Sequence, residues 1–252
     1  MDKLLDIIGF IKINPNDELR VKFLKATMDS YSFLGERANR ILAIDHSDFR
    51  FHFELSKEFP DWKILQPSGY SSYGQYYSSL FIFSKTNFIL NFLEDHFMLC
   101  NDIYKIAGIL HDMNIWNINV LKASFHKIDI NSVNGISIYN FMNVRKVNSG
   151  YIYLNDQQNF NLYQKHYGSR YYLGVNALMT KKFAIKFWER NIPSTRPHEY
   201  EIANFDSNFL HHAMVPGFEI QCPIDDDHGE TGSCLWSRKE PKFLEAREKW
   251  KF

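Results

Sequence analysis

Short apolar runs alternate with longer amphipathic segments in the first half of the chain. The runs are residues 6–13, 40–45, 62–65 and 88–93. Each has too few polar positions for a strand with one solvated face, which is typical of parallel strands covered on both sides. The segments between them carry apolar residues at helical spacing and predict helices at residues 18–34, 49–59 and 75–84. This order predicts right-handed βαβ units and a mostly parallel sheet, which is an α/β fold.

Polar residues stand where these predicted strands end. Asn14 follows the first run, Asp45 ends the second, and a loop over residues 66–74 follows the third. The fourth run stops on Glu94, Asp95 and His96. The carboxyl ends of parallel strands meet at one edge of the sheet, where open α/β folds bind ligands. We therefore expect a site at this edge, although a solvated turn would also explain the three ionisable residues.

The second half of the chain has a looser pattern, which predicts an α+β subregion rather than a separate domain. Helices are predicted at residues 102–116, 174–187, 202–212 and 241–252, and strands at 136–144, 149–154 and 218–222. The sequence has no internal repeat and no clear linker. We therefore predict a single domain over residues 1–252, with a boundary between its two halves near residue 102.

Composition argues against nucleic acid as a partner and indicates the cellular compartment. The 252 residues carry 29 basic and 29 acidic side chains, so no cationic surplus exists to neutralise nucleic-acid phosphates. The cysteines Cys100, Cys222 and Cys234 lack metal-ligand spacing, and their odd number fits a reducing compartment. The first residues make a poor signal peptide, and no apolar stretch reaches the length of a membrane span. We expect a cytoplasmic protein with no transmembrane segment.

Four segments in order resemble the GT-A fold of nucleotide-sugar-dependent glycosyltransferases, the family-2-like kind in particular. They are RVKFLKATMDSY (residues 20–31), ILAIDHS (41–47), QPSGYSSYGQYYSSL (66–80) and FILNFLEDHF (88–97). The resemblance covers roughly residues 7–102 and continues beyond them only by position. It implies a nucleotide-sugar-binding half at residues 1–102, an acceptor-side half at 103–252, and a glycan or glycoconjugate acceptor.

The resemblance also implies a donor site. Residues expected around the nucleotide sugar are Asn14, Asp45, Gly69, Tyr73, Gly74, Glu94 and Asp95. The metal-binding acidic motif of such enzymes usually reads Asp-x-Asp or Glu-Asp-Asp, and here His96 replaces one expected Asp. Asp95, His96 and a late His228 are the expected ligands of Mn²⁺ or Mg²⁺. An imidazole in the set favours Mn²⁺ somewhat.

A sugar transfer that inverts the anomeric centre needs a general base on the acceptor side. The resemblance points to the segment RPHEYE and the residues after it, where the candidates are Glu199, Glu201 and Asp206. Each can equally be a carboxylate that stabilises a helix N-terminus. Two other functions stay open. A nucleotidyltransferase would need a Gly-rich, basic phosphate loop, which INPNDELR (residues 13–20) lacks, and a non-catalytic binding module would explain His96.

Overall fold

A computed structural model describes residues 2–67, 73–94, 96–124, 143–147, 150–155, 177–190, 212–221 and 241–251. Its strands are β1 (Leu5–Ile11), β2 (Ala38–Ile44), β3 (Trp62–Leu65), β4 (Phe88–Phe92), β5 (His96–Met98), β6 (Val120–Ser124), β7 (Asn143–Val147), β8 (Gly150–Asn155), β9 (Ala177–Thr180) and β10 (His212–Gln221). Its α-helices are α1 (Glu18–Ser30), α2 (Phe49–Glu58), α3 (Tyr73–Leu80), α4 (Ile103–Ile115), α5 (Lys181–Arg190) and α6 (Pro241–Trp250). Short 3-10 helices cover Ser32–Arg37 and Phe81–Phe83.

All these strands form one sheet in the order β3-β2-β1-β4-β9-β6-β10-β8-β7, with β5 paired to β10. Four of the five strands from the first half, β3, β2, β1 and β4, run parallel, and the fifth is β5. The antiparallel pairs involve strands from the second half. The predicted α/β fold with a mixed central sheet and flanking helices is confirmed.

Helices cover both faces of the parallel part, which explains why its strands are apolar throughout. Every residue of β1 is buried, and its side chains alternate between two cores. Leu5, Ile7 and Ile11 pack on the side of α1, α2 and α4, whereas Ile8 and Phe10 pack on the side of α3 and α5. Burying both faces removes the hydrophobic-polar alternation that a half-exposed strand would show.

One buried carboxylate joins β1 to the turn before β4, at the edge of the sheet where the parallel strands begin. Asp6, in β1, is 0% exposed and accepts hydrogen bonds from Asn39, Ser84 and Thr86 side chains. It also accepts from the backbone N–H groups of Lys85 and Thr86, at 3.0 and 2.9 Å. These residues form the turn before β4, so Asp6 fixes where β4 begins beside β1.

The C-terminal helix, predicted at residues 241–252, is confirmed as α6 and packs against α1. Phe243 lies between Phe23 and Phe97, with ring centroids 6.1 and 5.9 Å away. Lys249 pairs with Asp29 of α1 at 2.6 Å. Because Phe97 belongs to β5, α6 contacts both α1 and the strand that follows Glu94. Of the helices in the described part of the chain, none combines the length and apolarity needed to cross a membrane.

The prediction of a helix over residues 174–187 is partly wrong. Residues Ala177–Thr180 form β9, and the helix α5 begins only at Lys181. Leu178 and Met179 are both buried because β9 lies between β4 and β6, so the apolar run that suggested a helix serves two sheet faces. Tertiary pairing outweighs local propensity here.

Other second-half predictions have mixed outcomes. His212 starts β10 and is not the end of a helix, and residues 202–211 of that prediction lie outside the described part. The strand predicted at 149–154 is confirmed as β8. The one at 136–144 is described only from Asn143, where β7 begins, and β10 includes the start of the one at 218–222. The short strands β5 and β6 were not predicted.

Candidate functional site

The parallel register brings the ends of β1, β2 and β4 to one edge of the sheet. Ile11 pairs with Ile44 of β2, and Gly9 pairs with Phe92 of β4. The backbone N–H of Asp45 donates to the carbonyl of Ile11 at 2.8 Å, which continues the sheet by one step. The residues that follow these strands, including Asn14, Asp45 and Glu94, therefore leave the sheet at the same edge, hereafter the carboxyl edge.

Asn14 builds the turn that leads from β1 into α1. Its side-chain oxygen accepts from the backbone N–H of Asn16 at 3.1 Å, and its carbonyl accepts from Asp17 at 2.9 Å. Asp17 then caps α1 by accepting from the backbone N–H of Arg20. An Asn that closes such a turn is a common structural role. Asn14 is exposed at the carboxyl edge, and its contact with a ligand stays a prediction.

Asp45 presents its carboxylate at this edge beside a lysine. Lys12 Nζ lies 3.3 Å from Asp45 Oδ2, and the two side chains are 63% and 44% exposed. Lys12 was not predicted as a site residue. The available signal was a lone basic residue between Ile11 and Ile13 at the end of an apolar strand, where both neighbours are buried. A lysine at such an edge can pair with a ligand phosphate.

Helix α2 holds the turn that carries Asp45. Asp48 caps the helix through its carboxylate and donates its backbone N–H to His46 Nδ1 at 3.0 Å. The buried ring of His52 places its nitrogens against the carbonyl oxygens of Asp48 and Ile44, at 2.8 and 3.1 Å. The last residue of β2 is thus tied to the helix that follows it, so the backbone before Asp45 is fixed.

Glu94 is half-buried, and helix α1 holds its backbone. The hydroxyl of Thr27 in α1 donates to the carbonyl of Glu94 at 2.7 Å. His96 starts β5, and the antiparallel register places it opposite Gln221, the last residue of β10. His96 and the last residue of β10 are therefore neighbours in the sheet.

Much of the predicted site lies outside the described residues. This applies to Gly69, Asp95, His228 and the three base candidates Glu199, Glu201 and Asp206, and also to the side chains of Tyr73 and His96. Gly74 is buried in the first turn of α3. Within the described part, no group of three or more His, Cys, Asp or Glu side chains could hold a metal ion. The metal ligands and the catalytic base therefore remain predictions.

Tyr76 and Tyr77 of α3 belong to the core. Tyr76 packs on Phe10 with ring centroids 4.5 Å apart, and the backbone N–H of Phe10 donates to the Tyr77 hydroxyl at 3.3 Å. Tyr77 stacks on Trp188 of α5 at 4.2 Å. These contacts anchor α3 close to the end of β1.

Comparison with known proteins identifies the fold. No protein-family model matches the chain, and no curated protein matches its sequence. Among solved structures, residues 1–349 of TarS from S. aureus align with a TM-score of 0.53 at 9% identity, over 97% of this chain and 72% of that one. The chain has a GT-A-like fold.

Two further solved structures are similar with lower scores. HddC from Yersinia pseudotuberculosis aligns with a TM-score of 0.48 at 12% identity, over 92% of this chain and 99% of that one. UDP-glucose pyrophosphorylase complexed with UDP-glucose aligns with a TM-score of 0.48 at 10% identity, over 100% and 99%.

Proposed function

We propose that the protein is a divalent-metal-dependent glycosyltransferase. It would move a sugar from a nucleoside-diphosphate sugar to a hydroxyl of a glycan, lipid-linked or protein-linked acceptor, with inversion. The observation that carries the proposal is the carboxyl edge, where Asn14, Lys12, Asp45 and Glu94 follow the ends of three parallel strands. Ligands of open α/β sheets bind at this position. The fold similarity to TarS, which is also known in complex with UDP, supports a nucleotide as the ligand.

Three of the edge residues have a specific role in this proposal. Asp45 accepts hydrogen bonds from the base or ribose, and Lys12 pairs with the diphosphate. Glu94 faces the ribose or orients its neighbour. The loop and helix start that include Gly69, Tyr73 and Gly74 flank the nucleoside.

The donor set in the Glu94–His96 segment suits a divalent cation. Asp95, His96 and His228 would hold Mn²⁺ or Mg²⁺, and carboxylates with an imidazole favour Mn²⁺. The fit rests on the chemistry of these donors. When bound, the cation stabilises the negative charge that develops on the leaving diphosphate.

The proposed transfer needs no reactant other than the donor and the acceptor. The acceptor oxygen forms a bond to the anomeric carbon, and the bond between that carbon and the diphosphate oxygen breaks. The acceptor proton passes to Glu199, Glu201 or Asp206, and the nucleoside diphosphate leaves as an anion.

A nucleotidyltransferase is the second candidate, since Lys12 places a cation at the end of the first strand. Against it, residues 13–20 contain no glycine to form a phosphate-binding loop. The two reactions release different products. A glycosyltransferase releases a nucleoside diphosphate from a nucleotide sugar, whereas a nucleotidyltransferase releases pyrophosphate from a nucleoside triphosphate and a sugar 1-phosphate.

The test assays both products with Mn²⁺, with Mg²⁺ and without metal. We expect metal-dependent release of nucleoside diphosphate that is lost in Asp95→Asn. The matched control is Asp2→Asn, because Asp2 is an exposed carboxylate before β1, at the opposite edge of the sheet. Pyrophosphate release would instead establish the second candidate, and the absence of both products would favour a binding module.

A further inference from the structure

Two hydroxyl groups of α1 contact the chain on either side of the predicted metal-binding residues. Thr27 Oγ1 donates to the carbonyl of Glu94 at 2.7 Å, and Ser30 Oγ accepts from the backbone N–H of Met98 at 3.0 Å. Thr27 and Ser30 are three residues apart, so they lie on the same face of the helix. Asp95 and His96 lie between the two contacted backbone groups.

Thr27 contacts the chain beyond the point where pairing between β1 and β4 ends. The β1–β4 register stops at Gly9 and Phe92, so the carbonyl of Glu94 has left that ladder. The hydroxyl of Thr27 therefore gives this carbonyl a hydrogen bond outside the sheet.

The hydroxyls of Thr27 and Ser30 both bond to the chain around Glu94 and Met98. Threonine and serine inside a helix commonly bond back to their own helix. Ser30 does so, donating to the Thr27 carbonyl at 2.6 Å, while its oxygen still accepts from Met98. Thr27 is 1% exposed and its hydroxyl donates to Glu94 across 67 positions of sequence. The pair therefore links α1 to both ends of the segment.

We propose that Thr27 and Ser30 are positioning residues of the metal site. They hold the backbone at Glu94 and at Met98, on either side of the predicted metal ligands Asp95 and His96. This inference rests on the proposed function, because it assigns these residues a role in metal and nucleotide binding. Groups that orient metal ligands typically change metal affinity by about 10–100-fold when they are removed.

The test compares Thr27→Val, which loses the hydroxyl at similar volume, with Thr27→Ser, which keeps it. Ser30→Ala removes the second contact. The control is Ser56→Ala, whose hydroxyl donates to its own helix at the His52 carbonyl, 2.8 Å away. Calorimetry measures UDP binding in Mn²⁺, thermal unfolding measures stability, and hydrogen exchange measures protection of the amides at residues 94–98 without metal.

We expect Thr27→Val and Ser30→Ala to weaken Mn²⁺-dependent UDP binding by about tenfold or more. Exchange at residues 94–98 should become faster in both, while Thr27→Ser and Ser56→Ala stay near wild type. Wild-type affinity in Thr27→Val with unchanged exchange would overturn the positioning role. A loss of affinity in Ser56→Ala equal to that in Thr27→Val would also overturn it, because general destabilisation would then explain both losses. Absence of Mn²⁺-dependent UDP binding in wild type would contradict the proposed function itself, and with it this inference.

Discussion

Lys12 Nζ lies 3.3 Å from Asp45 Oδ2, so a cation and an anion from two neighbouring parallel strands meet at the carboxyl edge. Both side chains are well exposed, and an exposed pair of this kind stabilises a fold by only about 0–1 kcal/mol. The pair is therefore poorly explained by stability alone. Its position at the end of β1 and β2 suits contact with a charged ligand.

Lys12→Met should weaken nucleotide binding while leaving the fold intact. A lost bond to a charged group costs about 1.5–3 kcal/mol, which corresponds to tenfold or more in the UDP dissociation constant. The free energy of unfolding should change by less than about 1 kcal/mol. Calorimetry and urea unfolding measure the two quantities.

The matched control for Lys12 is Lys25→Met. Lys25 pairs with Glu58 at 2.6 Å, between α1 and the C-terminal end of α2, away from the carboxyl edge. An equal loss of UDP affinity in both variants would contradict a specific role for Lys12.

Asp6→Asn should destabilise the protein strongly. The buried carboxylate accepts from three side chains and two backbone groups, and the amide would turn a donor toward these donors. Since one unsatisfied buried group costs about 1–3 kcal/mol, we expect a loss of about 3 kcal/mol or more in urea unfolding. The exposed Asp2→Asn should change stability by less than about 0.5 kcal/mol. Similar stability for the two variants would contradict the anchoring role of Asp6.

Gly9→Ala tests how closely β1 packs against β4. An added Cβ would lie 2.8 Å from Phe92 Cδ1, 3.0 Å from the Phe92 carbonyl oxygen and 3.1 Å from Leu42 Cδ1. Overpacking of this kind costs about 1–3 kcal/mol, measured by urea unfolding. Gly35→Ala is the comparison, because its Cβ meets no atom within 4 Å and its cost comes only from a φ of +50°. An unchanged stability in Gly9→Ala would show that Phe92 can move.

Burial raises the pKa of the Cys100 thiol above its usual value, and this effect outweighs the opposing effect of a backbone hydrogen bond from Asp102. The folded state therefore disfavours the thiolate. Its contribution to stability is fully present below the pKa of the unfolded thiol and is lost as the pH rises through the folded pKa. Stability should fall above about pH 8.5, and Cys100→Ala should reduce that fall. Identical pH profiles of urea unfolding for the two proteins would contradict this.

The parallel part of the fold was predictable because its strands are buried on both faces and are therefore apolar throughout. β3 is found at its predicted bounds, and β1, β2 and β4 within a few residues of theirs. The antiparallel strands were harder. β5 and β6 are short, and β9 resembles the start of a helix until its neighbours β4 and β6 are known.

Residues of the candidate site could be predicted only where they directly follow a strand, because the end of the strand then determines their place in the fold. Asn14, Asp45 and Glu94 follow strand ends, so a parallel sheet brings them to one edge. Thr27 was not predicted because its contact with Glu94 spans 67 positions, and local spacing carries no record of such a contact. Lys12 was missed because an exposed lysine at a strand end is common and becomes informative only beside Asp45.

The central claim is that the carboxyl edge binds a nucleoside diphosphate together with a divalent cation through the Glu94–His96 segment. Its most direct test is calorimetric titration of UDP, GDP and dTDP into the wild-type protein and Asp95→Asn, each with and without Mn²⁺. We predict that at least one of the three binds the wild type tightly only when Mn²⁺ is present, and that Asp95→Asn loses this metal dependence. Absence of binding by all three, or equal Mn²⁺-dependent binding to both proteins, would contradict the claim.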